Sequence, residues 1–148
     1  MNDFSDIEVL LVEDNQNDAE MTMRALNKAN FLNKLYWVQD GVEALDFIRC
    51  RGPYESRDPQ PRLKLILLDL KMPRLTGLDV LRELKSSEHT QSIPIVVMTS
   101  SDQDRDVAES YRLGVNGFVT KPVQFASFME SVSQIGMYWL MVNQAPRQ

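Results

Sequence analysis

Five short apolar runs, separated by longer stretches with helical periodicity, constrain this chain more than any other feature. Residues 7–12 (Ile-Glu-Val-Leu-Leu-Val), Leu35–Val38, 63–68, 93–98 and Gly117–Thr120 read as strands. A continuous apolar run cannot leave one face in water, so such strands are buried on both sides. That requires a parallel sheet covered by helices. Right-handed crossovers then give a doubly wound, five-stranded α/β domain of three layers.

The intervening stretches fit this plan. Residues 16–29 put Ala19, Met23 and Leu26 on one helical face, behind acids that suit a helix N-terminus. Residues 41–51 read as a second helix with Val42, Leu45 and Ile48 inward. Pro53, Pro59 and Pro61 make 52–62 a loop. Thr76 and Asp79 form a capping box for a helix through about residue 86, and residues 101–104 open a fourth that runs to about 113. A fifth follows Lys121 and Pro122. With 148 residues, 43% of them apolar, the chain can fill one core and not two. The expected domain runs over 5–148, with about 134–148 as a C-terminal helical extension.

Charge and composition narrow the function. Sixteen Lys and Arg against 21 Asp and Glu leave a net charge of −5, a poor balance for direct nucleic-acid binding. The single Cys50 forms no internal disulfide and reads as half-buried helix filler; the single His89 lies in a polar loop. The N-terminus has no signal-peptide pattern, and no run approaches the roughly 20 apolar residues of a membrane helix. The expectation is a cytoplasmic protein that does not engage the membrane.

Ligands of such sheets bind outside the carboxyl ends of the strands. Four of the ends carry polar residues: Glu13 and Asp14, then Asp69, Thr99 and Lys121. Carboxylates brought this close repel one another, and the Lys121 ammonium cannot balance all of them. A hard divalent cation with oxygen ligands can, and Mg2+ is the usual one where phosphates are handled. Taken singly, each residue also has a plain reading. Asp69 and Thr99 could be caps, Glu13 and Asp14 helix-start acids, Lys121 a surface lysine and Phe118 an ordinary aromatic. None of those readings explains their placement together at strand ends.

The ordered set Glu13-Asp14, Asp69, Thr99, Lys121-Pro122, with the stretch 68–77 (Leu-Asp-Leu-Lys-Met-Pro-Arg-Leu-Thr-Gly), resembles the response-regulator receiver family. Thirty residues separate Asp69 from Thr99, and twenty-two separate Thr99 from Lys121, as in that family. The resemblance implies a flavodoxin-like receiver fold and a phosphorelay role without a separate substrate. It makes Asp69 the phosphoacceptor for a sensor histidine kinase. Asp14, Asp69 and the Lys71 backbone carbonyl would ligate Mg2+, with Glu13 acting through water. Thr99 and Lys121 would contact the phosphoryl oxygens, Thr99 and Phe118 would form the switch pair, and Pro122 would follow a cis peptide bond. Lys71 and Ser101 occupy positions that tune autodephosphorylation. Glu13 departs from the commoner Asp, and Phe118 lacks the hydroxyl of the commoner Tyr. The Pro-rich 52–62 segment and the 138–140 run (Tyr-Trp-Leu) resemble single-domain regulators that partner cyanobacterial and other bacterial phytochromes.

Three other readings stay open on sequence. An aspartyl-phosphate phosphohydrolase of the haloacid-dehalogenase kind would need an acid where Lys71 stands. A nucleotide or flavin module would need a Gly-rich loop after the first strand. A pseudo-receiver would be a scaffold that no longer takes phosphate. Finally, Phe125, Phe128, Val132, Ile135, Trp139 and Val142 form a three-four seam, and residues 137–142 are apolar all round. That surplus suggests a homodimer using Tyr138, Trp139, Leu140 and Val142 near Phe118. Burial in the chain's own core is the competing explanation.

Overall fold

The computed structural model describes residues 4–31, 34–59, 62–100, 104–121 and 124–144. Strands β1 (Val9–Val12), β2 (Leu35–Val38), β3 (Leu65–Leu68), β4 (Ile95–Thr99) and β5 (Gly117–Thr120) form one sheet in the order β2-β1-β3-β4-β5. All its pairings are parallel. Helices α1 (Gln16–Lys28), α2 (Gly41–Ile48), α3 (Gly77–Lys85), α4 (Asp104–Arg112) and α5 (Phe125–Met137) fill the intervals. The expected three-layer architecture is present.

Every residue of β1, β3 and β4 is buried, which is why those runs show no polar alternation. The period of two divides them between two cores. Leu10, Val12, Ile66, Leu68, Ile95 and Val97 pack with residues of α2 and α3. Val9, Leu11, Leu65, Leu67, Val96 and Met98 pack with residues of α1 and α5. Local signals start the helices. Asn15 accepts the Asp18 amide at 3.0 Å and Asp40 the Glu43 amide at 2.8 Å, while Thr76 and Asp79 complete a capping box.

The differences from expectation are local. β1 and β3 begin two residues later than 7 and 63, where the Lys64 and Leu65 amides share the Glu8 carbonyl instead of pairing in a ladder. β4 starts after Pro94, which has no amide hydrogen to give. Helix α2 stops at Ile48, and Cys50 then adopts a φ of 54°. Val42 does not face inward: it is 37% exposed, and the buried line of α2 is Gly41, Ala44, Leu45, Phe47 and Ile48. The Pro-rich segment also contains a 3-10 turn at Gly52–Tyr54. Its Tyr54 is buried, donates to Glu43 Oε2 at 2.8 Å and packs edge-on against Phe4, Tyr36 and Phe47.

The C-terminal seam holds only in its middle. Phe128 and Val132 are buried, whereas Phe125 and Val142 are 46% and 64% exposed. After Met137 the helix widens into a π-helical turn at Tyr138–Val142, which rotates the following side chains off the seam. Leu140 is buried in the α1–α5 core, with Trp139 against it, so Leu140 belongs to the chain's own interior rather than to an interface. Phe118 packs on the opposite face of the sheet, in the α2–α3 core, and so is not beside the C-terminal turn as expected. Tyr138, Met141 and Val142 are the exposed apolar residues of that turn.

Candidate functional site

The strand order reverses direction between β1 and β3, so the crevice of this sheet opens at their carboxyl ends. Glu13 and Asp14 follow β1 there, and Asp69 follows β3. Their backbones continue the sheet: the Glu13 amide donates to the Val38 carbonyl at 3.1 Å, and the Asp69 amide to Val12 at 3.0 Å. At the next pair of strands the Lys121 amide donates to the Thr99 carbonyl at 2.7 Å. The site residues therefore inherit their positions from the strand register.

The side chains converge. Among the described residues, carboxylate oxygens of Glu13, Asp14 and Asp69 lie within 4.8 Å of one another. Lys121 Nζ lies 2.6 Å from Glu13 Oε1, 2.7 Å from Asp18 Oδ2 and 3.2 Å from Asp69 Oδ2. Glu13 and Asp69 are buried, Asp14 is exposed, and Thr99 is fully buried at the end of β4. Glu13 is further held by the Asn15 amide on Oε2 at 3.2 Å, and its carbonyl accepts Trp37 Nε1 at 2.7 Å. The Lys71 amide donates to Asp69 Oδ1 at 3.3 Å, folding the loop after β3 back over the carboxylate.

Asp18 joins the site only through the fold, by accepting from Lys121 Nζ. Its place in the first turn of α1 reads as favourable to the helix dipole, which accounts for an acid there without a site. The usable signal was spacing, since Asp14 and Asp18 are four residues apart across a helix start. Pro122 and Ser101 lie outside the described residues. Phe118 is half-buried on β5, opposite Val97 in the register.

The electrostatics explain what the arrangement can do. Glu13, Asp18 and Asp69 all contact the Lys121 ammonium, and Asp14 lies beside Glu13 and Asp69. Burial, followed by the neighbouring Asp69 carboxyl, pushes the Glu13 acid up to about 8. Burial alone would lower the Lys121 pKa, but the hydrogen bonds it donates to Asp18 and Glu13 outweigh that and hold the ammonium charged. A three-carboxylate set that Lys121 leaves under-neutralised matches the donor chemistry of a hard divalent cation.

A family model of the response regulator receiver domain matches residues 9–133. The chain belongs to that family. FilR2 of Methanothrix harundinacea, a probable methanogenesis regulatory protein, is 37% identical over 138 residues, covering 93% of this chain and 86% of its own. Response regulator Rcp1 of Synechocystis is 36% identical over 132 residues, 89% of this chain and 88% of that one. The structure of the Mn2+-bound form of Rcp1 aligns with a TM-score of 0.85 over 94% of this chain and 98% of that one. The phosphorylated cyanobacterial phytochrome response regulator RcpA aligns with a TM-score of 0.87 at 34% identity, covering 94% and 97% of the two chains. This chain shares the flavodoxin-like receiver fold with Rcp1 and RcpA. A homologous protein, Rcp1, thus has a structure with a divalent metal bound. Among the described residues, no helix is long and apolar enough to cross a membrane.

Proposed function

We propose that this receiver accepts a phosphoryl group on Asp69 from the phosphohistidine of a sensor histidine kinase, and that the kinase is a phytochrome. One observation carries the acceptor assignment. Asp69 is buried at the topological switch point, within 3.2 Å of the Lys121 ammonium and beside the Glu13 and Asp14 carboxylates. The phytochrome assignment rests on the similarity to RcpA.

In the transfer, an Asp69 carboxylate oxygen attacks phosphorus as the P–N bond of the phosphohistidine breaks. The electron pair returns to the imidazole nitrogen, which takes a proton from solvent. Asp14, Asp69 and the Lys71 carbonyl would hold Mg2+, with Glu13 acting through water. When bound, Mg2+ supplies the positive charge that lets an anionic phosphoryl group approach an anionic pocket. Lys121 pairs with the incoming oxygens, and the Thr99 hydroxyl donates to them. Phe118 responds from β5 as the switch aromatic. The work is mostly positioning and charge balance.

The signal leaves by protein contact in the cytoplasm, and the exposed Tyr138, Met141 and Val142 supply a face for a homodimer. Sedimentation showing a concentration-independent monomer, phosphorylated or not, contradicts that dimer. The acceptor is tested by incubating wild type and Asp69→Asn with acetyl phosphate and Mg2+, then with a phytochrome kinase. Wild type gains one phosphoryl group by intact mass and Asp69→Asn gains none. Equal labelling of the two overturns the assignment.

A further inference from the structure

We infer that Asp18 is a positioning residue for phosphoryl acceptance: it tethers the Lys121 ammonium beside Asp69 while the acceptor carboxylate changes from ion-pair partner to nucleophile. This role presupposes Asp69 as the acceptor.

An ammonium has three N–H donors. At Lys121 all three are engaged, with Nζ 2.6 Å from Glu13 Oε1, 2.7 Å from Asp18 Oδ2 and 3.2 Å from Asp69 Oδ2. Hydrogen bonds between an ammonium and a carboxylate normally run about 2.7–2.9 Å, so the first two are short and the Asp69 contact is stretched. Lys121 is therefore anchored on Glu13 and Asp18, and Asp69 is the partner it releases first. Acceptance requires that release. Once Asp69 bonds phosphorus its carboxyl carries less charge, and a phosphoryl oxygen takes the vacated donor. Two anchors keep the nitrogen in place through the exchange. With Glu13 as sole anchor a donor falls free, the ammonium closes on the Asp69 carboxylate, and the nucleophile is masked by a tighter ion pair.

Asp18 is placed for this by α1. Its amide donates to Asn15 Oδ1 at 3.0 Å, and its carbonyl accepts from the hydroxyl of buried Thr22 at 2.8 Å, so its backbone is fixed from both sides. Among the described residues Lys121 is the only cation paired with it. Its side chain is 25% exposed, against 4% for Glu13 and 9% for Lys121, so it stands on the solvent side of the ammonium. An acid in the first turn of α1 also favours the helix dipole, by about 0.3–1 kcal/mol. That role needs the charge but not the reach to Lys121. Asparagine loses the charge and keeps an acceptor oxygen, so the two roles separate.

The test compares wild type, Asp18→Ala and Asp18→Asn. In metal-free protein the 1H–15N signal of the Lys121 ammonium, assigned by its loss in Lys121→Met, reports whether the three protons are held against exchange with water. It is expected in wild type and Asp18→Asn and absent from Asp18→Ala. The second measurement is the rate of phosphorylation by acetyl phosphate at Mg2+ concentrations shown by calorimetry to saturate each variant. Asp18→Ala is expected to be slower by about tenfold and Asp18→Asn by no more than about threefold, both less than the roughly hundredfold cost of a full 1 Å displacement. Equal slowing of the two variants assigns Asp18 to the helix dipole and overturns the tether, as does a wild-type rate or an undiminished Lys121 signal in Asp18→Ala. Absence of labelling in wild type refutes acceptance at Asp69 itself, and the role of Asp18 falls with it.

Discussion

Replacing Gly77 by alanine tests whether the acceptor loop is held by close backbone packing. Gly77 opens α3, and its amide donates to the Leu70 carbonyl at 2.9 Å. A Cβ added there would press on the Asp69 carbonyl oxygen and stand 2.6 Å from Leu70 Cα and 2.9 Å from the Asp69 carbonyl carbon. Carbon atoms in ordinary contact sit about 3.5–4.0 Å apart, so the loop must give by about 1 Å. The obstructing atoms are backbone, which cannot swing aside as a flexible side chain would. Overpacking of this kind costs about 1–3 kcal/mol. A displacement of about 1 Å at a reacting group costs about a hundredfold in rate. Gly77→Ala should therefore melt below wild type and accept phosphate from acetyl phosphate about a hundredfold more slowly, with the fold retained by circular dichroism. Gly117→Ala is the matched control, because its Cβ would meet only Val96 methyls at 3.6 and 3.7 Å. Wild-type labelling and melting in Gly77→Ala would refute the reasoning.

Other outcomes follow from the same geometry. Lys121→Met, measured by urea denaturation without divalent cation, should lose about 3–5 kcal/mol because it strands buried carboxylates, and added Mg2+ should restore part of that loss. Mg2+ at a hundred times its dissociation constant should stabilise wild type by about 2.7 kcal/mol, and the effect should vanish in Asp14→Asn if that carboxylate is a ligand. In metal-free protein the Glu13 acid titrates near 8, against 4.5 for an unperturbed acid, so the folded chain binds a proton that the unfolded chain has released. Stability in EDTA should thus decline as pH rises from about 4.5 through about 8, and Glu13→Gln should flatten that decline. Tyr54→Phe removes the donor to Glu43 and the 3.1 Å contact with the Tyr36 hydroxyl, and should cost about 1–2 kcal/mol by thermal denaturation.

Much of this architecture was readable because strands buried on both faces have a distinctive signature. The strand residues before Glu13, Asp69 and Thr99 (9–12, 65–68 and 95–98) are apolar at every position, and the strand-end rule then gathers their successors at one edge. What escaped was set by contacts distant in sequence. Asp18 looked complete as a helix-start acid, and only Lys121, 103 positions away, gives it a second partner. Val42 satisfied a loose helical period, but the α2 face is fixed by the close packing of Gly41 against Leu75 and Val80. On a straight helix Leu140 would be surplus apolar surface, but the π-helical turn carries it back into the core. Tyr54 sat in a segment whose prolines announced a loop, yet its partners come from β2 and α2.

The amides of Glu13, Asp69 and Lys121 bond to carbonyls of neighbouring strands, so these candidate site residues sit on the last rungs of the sheet. Evolution can adjust the surrounding loops freely, but it cannot reposition these three residues without shifting a strand. Drift in sequence should accordingly leave the chemistry intact long after the outer surfaces, and with them the choice of partner, have diverged.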